Sequence, residues 1–293
     1  AATCHEHGIL PVVTFHHFTH PRWLAAAGTW EALHAPDRFA RYCERAAAHL
    51  GDLIGVACTL NEPNVVATMG WRHGLFPPRV RDRTRRDVVN AALVAAHGKA
   101  TEAIRSGPGD APVGLTLSMT DYQVEPGGEE WVERLRRPSE DVFLDATGGD
   151  DFLGVQTYTR MRVGPNGALA GEEGVPVTQM GYEFWPEALE GTIRRAVAVT
   201  GGLPVYVTEN GIGTGDDRAR IEYVARALAG LQRCLDDGID VRGYFYWSLL
   251  DNFEWVLGYG PTFGLMEVDR TTFERTPKPS AAWLGRIAAA GHP

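Results

Sequence analysis

Two glutamates, Glu62 and Glu209, each sit among short polar residues, in Asn61-Glu62-Pro63-Asn64 and Thr208-Glu209-Asn210-Gly211. Paired carboxylates facing one cavity are what glycosidic cleavage needs: one protonates the leaving oxygen while the other attacks or stabilises the anomeric carbon. Two further polar clusters stand beside them in the chain, His16-His17 and Asp251-Asn252-Phe253-Glu254-Trp255. Trp247 and Trp255 would supply flat apolar platforms for the faces of a sugar ring. The competing reading makes each glutamate a strand-end carboxylate that caps the following helix. Both together, among Asn, His and Trp, favour the chemistry over the caps.

Elements of two kinds must hold these groups. Short runs nearly continuous in Val, Ile, Leu and aromatics alternate with amphipathic segments, as expected of parallel strands buried on both faces. Strands are expected at Pro11–His17, Ile54–Leu60, Val113–Ser118, Phe152–Tyr158, Val205–Glu209 and Gly243–Leu250. Helices are expected from Asp37, over Arg85–Ser106, irregularly around Glu129–Thr147, and over Glu187–Thr200, Asp217–Gly238 and Ser280–Ala289. Between Met161 and Met180 a Gly-rich excursion with Pro165-Asn166-Gly167 reads as a surface β-hairpin insertion. Six strand-then-helix units in strict order make this an α/β protein, either a β/α barrel or an open doubly wound sheet. In both, functional groups gather at the C-terminal ends of the strands, where all four clusters lie.

With 293 residues, 44% hydrophobic and 22% charged, the chain fits one globular domain or a large part of one, and residues 1–293 read as a single catalytic domain. A formal charge of −9 gives no help in binding nucleic acid or an acidic membrane, so neither is expected as a partner. No apolar run is long enough to span a bilayer, and the opening AATCHEHG lacks the layout of a secretory signal. Four scattered cysteines suggest packed thiols in a reducing compartment, which points to the cytoplasm. Ala1 to His7 read as the last turns of a helix capped by Gly8, so the chain is expected to start inside an element.

Three weaker motifs argue against themselves. GIGTG at 211–215 lacks dinucleotide-binding spacing, and Asp216-Asp217 would meet the pyrophosphate. The histidines at 5, 7, 16, 17 and 20 show no HExxH spacing, so neither a metal nor a cofactor is expected. RVRDRTRR at 79–86 is interrupted by Asp82 and reads as a solvated loop.

Taken together, TLNEPN at 59–64, VTENG at 207–211 and YFYWSLLDNFEW at 244–255 resemble glycoside hydrolase family 1, the retaining β-glucosidases. The resemblance runs from about Gly8 to Leu284 with the motifs in family order. It implies a TIM (β/α)8-type barrel with about six of its eight β/α units in this chain. It also implies Glu62 as general acid/base and Glu209 as the nucleophile that forms a covalent glycosyl-enzyme. Asn61 would hold the sugar 2-hydroxyl, His17 would bind the sugar, and Tyr158 would stand beside the nucleophile. Trp247 would be the platform, Glu254 the ligand of the 4- and 6-hydroxyls, and Trp255 and Phe263 further walls. His16 is expected to be structural, and Phe18 replaces the usual Trp.

The implied substrate is a small, unphosphorylated β-glycoside, because a carboxylate at Glu254 would repel phosphate. A retaining pair stands about 5 to 5.5 Å apart. The sequence departs from the family at Gln156-Thr157-Tyr158, where Asn-Tyr-Tyr is usual, at GYGPTFG over 258–264, and at Trp71. It also shows no counterpart of the two β/α units that precede the His17 strand in the family, with their sugar-clamping Gln and their Arg beside the nucleophile. The chain alone is therefore expected to be weak or inactive. The alternatives are a glycan-binding relative that has lost catalysis, an inactive barrel fragment, or an enzyme that transfers the glycosyl group to another sugar.

Overall fold

Strand β2 (Val56–Asn61) is buried along its whole length, and its Val-Ala-Cys-Thr-Leu sequence shows why: side chains on both faces have apolar layers to enter. The computed structural model describes residues 1–291, in two compact units. The first comprises Ala1–Ser118, Leu135–Gly154 and Val199–Pro204, and the second Met119–Arg134, Val155–Ala198 and Val205–Pro293.

In the first unit β1 (Val12–His17), β2 and β3 (Val113–Ser118) run parallel, with His17 opposite Asn61 and Asn61 opposite Thr116. The β2–β3 register shifts between Cys58 and Asn61, a bulge just before the first polar cluster. Helices α1 (Ala35–Leu50) and α2 (Arg83–Arg105) pack against each other. The buried stripe of α2 is Val89, Leu93, Ala96, Ala100 and Ile104, at i, i+4, i+7, i+11 and i+15. Asp82 caps α2 by accepting from the Thr84 and Arg85 amides, and Arg85 pairs with Glu31. The arginine-rich stretch expected to be a loop is thus partly the first turn of a helix, because the Asp that interrupts it is a cap.

Strand β4 (Phe152–Gln156) begins in the first unit and ends in the second. After α3 (Glu129–Arg136) the chain passes through a wide turn at Arg137–Asp141, the irregularity expected there. The second unit carries α4 (Ala188–Thr200), β5 (Val205–Asn210), α5 (Asp217–Asp236), β6 (Val241–Tyr246) and α6 (Pro279–Ala290). The expected hairpin is present: Arg160–Gly164 pairs antiparallel with Gly167–Ala168, and Asp121–Val124 joins it in parallel. The six long strands are hydrogen-bonded in chain order, β1-β2-β3-β4-β5-β6. Chain order without a reversal is the winding of a β/α barrel, whereas a doubly wound sheet switches direction at its centre. Among the described residues there are six such strands, as the sequence led us to expect.

No helix among the described residues is long and apolar enough to cross a membrane. All four cysteines are free, three of them buried.

Candidate active site

The first unit presents His17, Asn61 and Glu62 at the C-terminal ends of β1 and β2. Thr116 of β3 donates to the Leu60 carbonyl (3.1 Å) and to Asn61 Oδ1 (3.2 Å), which turns the amide nitrogen of Asn61 toward His17 Nε2 at 3.5 Å. Burial lowers the pKa of His17 below its ordinary value, so the ring is neutral at pH 7. Its other face lies against Phe18, which in turn meets Phe76.

Glu62 is 7% exposed and takes a left-handed backbone conformation (φ 43°), an uncommon state for a side chain with a Cβ and one that concentrates at functional sites. Its amide donates to the Thr116 carbonyl, and Pro63 starts the following short helix. The Glu62 side chain makes no capping bond to that helix, so the capping reading does not hold for this glutamate. Asn64 turns inward and donates to the Ser118 carbonyl at 2.8 Å.

The second unit presents Tyr158, Glu209, Trp247, Glu254 and Phe263. Glu209, 8% exposed near the end of β5, accepts a 2.6 Å hydrogen bond on Oε2 from the Tyr158 hydroxyl. Phe263, almost fully buried, stands edge-on to Tyr158 with ring centroids 6.0 Å apart. Trp247 donates from Nε1 to Glu254 Oε1 at 3.1 Å. Burial raises the Glu254 pKa, and the indole hydrogen bond offsets part of that rise.

The loop that carries Glu254 is tied down by Asp251. Its carboxylate accepts from the Gly264 amide (2.7 Å) and from Lys278 Nζ on both oxygens (3.0 Å each). Two glycines are required by close approach: a Cβ on Gly211 would lie 2.1 Å from the Trp247 carbonyl oxygen, and one on Gly264 2.1 Å from the Asp251 amide nitrogen. Trp255 is half-exposed, also with a left-handed backbone (φ 49°).

His16 belongs to neither group. It is 6% exposed and packs edge-on to Trp30 and Phe39, in keeping with a structural role. Nor does GIGTG form an anion site, because Asp216 Oδ1 already accepts from the Arg218 amide at the start of α5. Among the described residues no group of three His, Cys, Asp or Glu could hold a metal ion.

Sequence reasoning missed Thr116, the Lys278 partner of Asp251, and the buried polar residues of α5, Arg220 and Tyr223. The available signal was a lone polar residue inside an apolar pattern, as in Val113-Gly-Leu-Thr-Leu-Ser118 and on the inner face of α5.

The family model described as Glycosyl hydrolase family 1 matches residues 1–147 and 151–292. A bifunctional β-D-glucosidase/β-D-fucosidase of Bifidobacterium breve is 30% identical, over 97% of this chain and 76% of its own length. Among solved structures, β-glycosidase BGL167 is 48% identical with a TM-score of 0.90, covering 100% of this chain and 76% of that one. A β-glycosidase from Pyrococcus horikoshii is 32% identical with a TM-score of 0.91, covering 98% and 73% respectively.

Proposed function

This chain belongs to glycosyl hydrolase family 1, and we propose that it is a retaining β-glycosidase. Its substrate would be a small glycoside, from which it releases a terminal non-reducing β-D-glucosyl residue or a related galactosyl or fucosyl one. The observation that carries the reading is the carboxylate of Glu209, fixed near a strand end by the Tyr158 hydroxyl. A nucleophile must be held in one orientation to attack a single carbon, and this hydrogen bond holds it.

In the first step Glu209 attacks the anomeric carbon as the bond to the aglycone breaks, and protonated Glu62 delivers its proton to the departing oxygen. Glu62, left ionised by that transfer, then takes a proton from water as general base. That water attacks the same carbon and frees Glu209. Asn61, with its nitrogen turned toward His17 by Thr116, serves the 2-hydroxyl; His17 and Glu254 serve hydroxyls further round the ring; Trp247, Trp255 and Phe263 wall its faces. The names of the relatives, glucosidase and fucosidase among them, support the choice of sugars. The four unpaired thiols suit a reducing, cytoplasmic setting.

Proton NMR of 4-nitrophenyl β-glucoside hydrolysis tests the stereochemistry. The reading predicts β-glucose first, with the α-anomer appearing only by later mutarotation. First-formed α-glucose would exclude a retaining mechanism, and saturable binding without release of nitrophenol would favour the glycan-binding alternative.

A further inference from the structure

We propose that Tyr223 and Asn210 are positioning residues for the nucleophile, acting through Tyr158; the inference rests on Glu209 being that nucleophile. Strand β4 ends at Gln156, and the last backbone bond in this direction runs from the Thr157 amide to the Glu209 carbonyl at 3.2 Å. Beyond it the Thr157 and Tyr158 carbonyls are met by side chains. Asn210 Nδ2 donates to the Thr157 carbonyl at 2.7 Å, and the Tyr223 hydroxyl donates to the Tyr158 carbonyl at 2.7 Å. Asn210 Oδ1 accepts from the Tyr244 hydroxyl at 2.8 Å, which sets the way the amide faces. The Asn210 carbonyl also accepts from the Trp247 amide, so one residue ties the nucleophile strand to the platform.

Asn210 and Tyr223 are 0% and 1% exposed, and Phe184 stands edge-on to the Tyr223 ring at 5.5 Å. Taking an amide and a phenol out of water to meet two consecutive carbonyls is costly unless the groups are satisfied, and here they are. What they fix is the backbone from which the Tyr158 phenol reaches Glu209 Oε2 at 2.6 Å. That hydrogen bond favours the ionised carboxylate, the form that attacks. Tyr223 therefore touches no substrate, yet sets both the aim and the ionisation of the group that does.

The test is a pH titration of Glu209 in the full chain labelled with [δ-13C]glutamate, its resonance assigned by loss in E209Q. Tyr158→Phe is expected to raise the apparent pKa of Glu209 by about one unit, a tenfold change in ionisation constant. Tyr223→Phe is expected to raise it by about half a unit, roughly threefold, and the double variant is expected to match Tyr158→Phe alone. A Tyr223→Phe titration identical to the parent's, or a shift that adds in full to that of Tyr158→Phe, would overturn the proposal. If Tyr223→Phe does not fold, Tyr244→Phe replaces it: a smaller upward shift is expected, and an unchanged titration would sink the idea. The titration needs no turnover. A folded chain that forms no glycosyl-enzyme would therefore refute the retaining reading while leaving this outcome readable.

Discussion

Glu62 shows how much one residue's surroundings decide. Its neighbours are the Asn61 amide, turned toward His17 by Thr116, and a proline that starts the next helix, and its own backbone is held left-handed. Its side chain makes no capping bond to that helix, and the proposed role for it is proton transfer to the departing oxygen. Acid assistance matters in proportion to how poor the leaving group is. Glu62→Gln should therefore lose about 10²- to 10⁴-fold in kcat/KM on an alkyl β-glucoside. It should lose far less on 2,4-dinitrophenyl β-glucoside, whose phenolate leaves without a proton. Equal losses on the two substrates would show that Glu62 is not the acid.

At the scale of elements, β1 separates two neighbouring histidines by the alternation of a strand: His17 goes to the side of Asn61 and His16 to the helix side, against Trp30 and Phe39. Burial, with a smaller contribution from His20 and His17, pushes the His16 pKa down to about 3 from an ordinary 6.5. The unfolded chain then binds a proton that the folded chain refuses. Stability conferred by the neutral ring is complete above about pH 6.5 and is lost as pH falls toward 3, at about 1.4 kcal/mol per unit. His16→Phe keeps a ring in place and removes the titration. Between pH 7 and pH 5 the parent should lose about 2 kcal/mol more than this variant in urea unfolding. Equal losses would contradict the burial argument.

The same strands show what could be read beforehand and what could not. Val113–Ser118 has the expected bounds, because an apolar run between turn residues has one reading. Gly243–Leu250 shifts to Val241–Tyr246, since Leu249 and Leu250 leave the strand to meet Met266. An apolar run does not say which partner it will find. The motif residues were legible because their types carry chemistry. The partners of Tyr158 were not: Tyr223 lies 65 positions away, and its helix advertised only its Ile, Val and Leu stripe.

For the molecule as a whole, strands hydrogen-bonded in chain order resolve the choice that periodicity left open, in favour of the barrel winding. A formal charge of −9 gives no electrostatic help to a polyanion and leaves neutral or cationic molecules as the expected substrates. If Glu209 attacks a sugar carbon, one turnover suffices to reveal it even when steady-state hydrolysis is slow. The direct measurement is intact mass and peptide mapping after long incubation with a 2-deoxy-2-fluoro β-glucoside that has an activated leaving group. One added fluoroglucosyl group is expected, located on Glu209 and absent from Glu209→Gln. A folded chain that gains no adduct, or gains it on another residue, would contradict the claim.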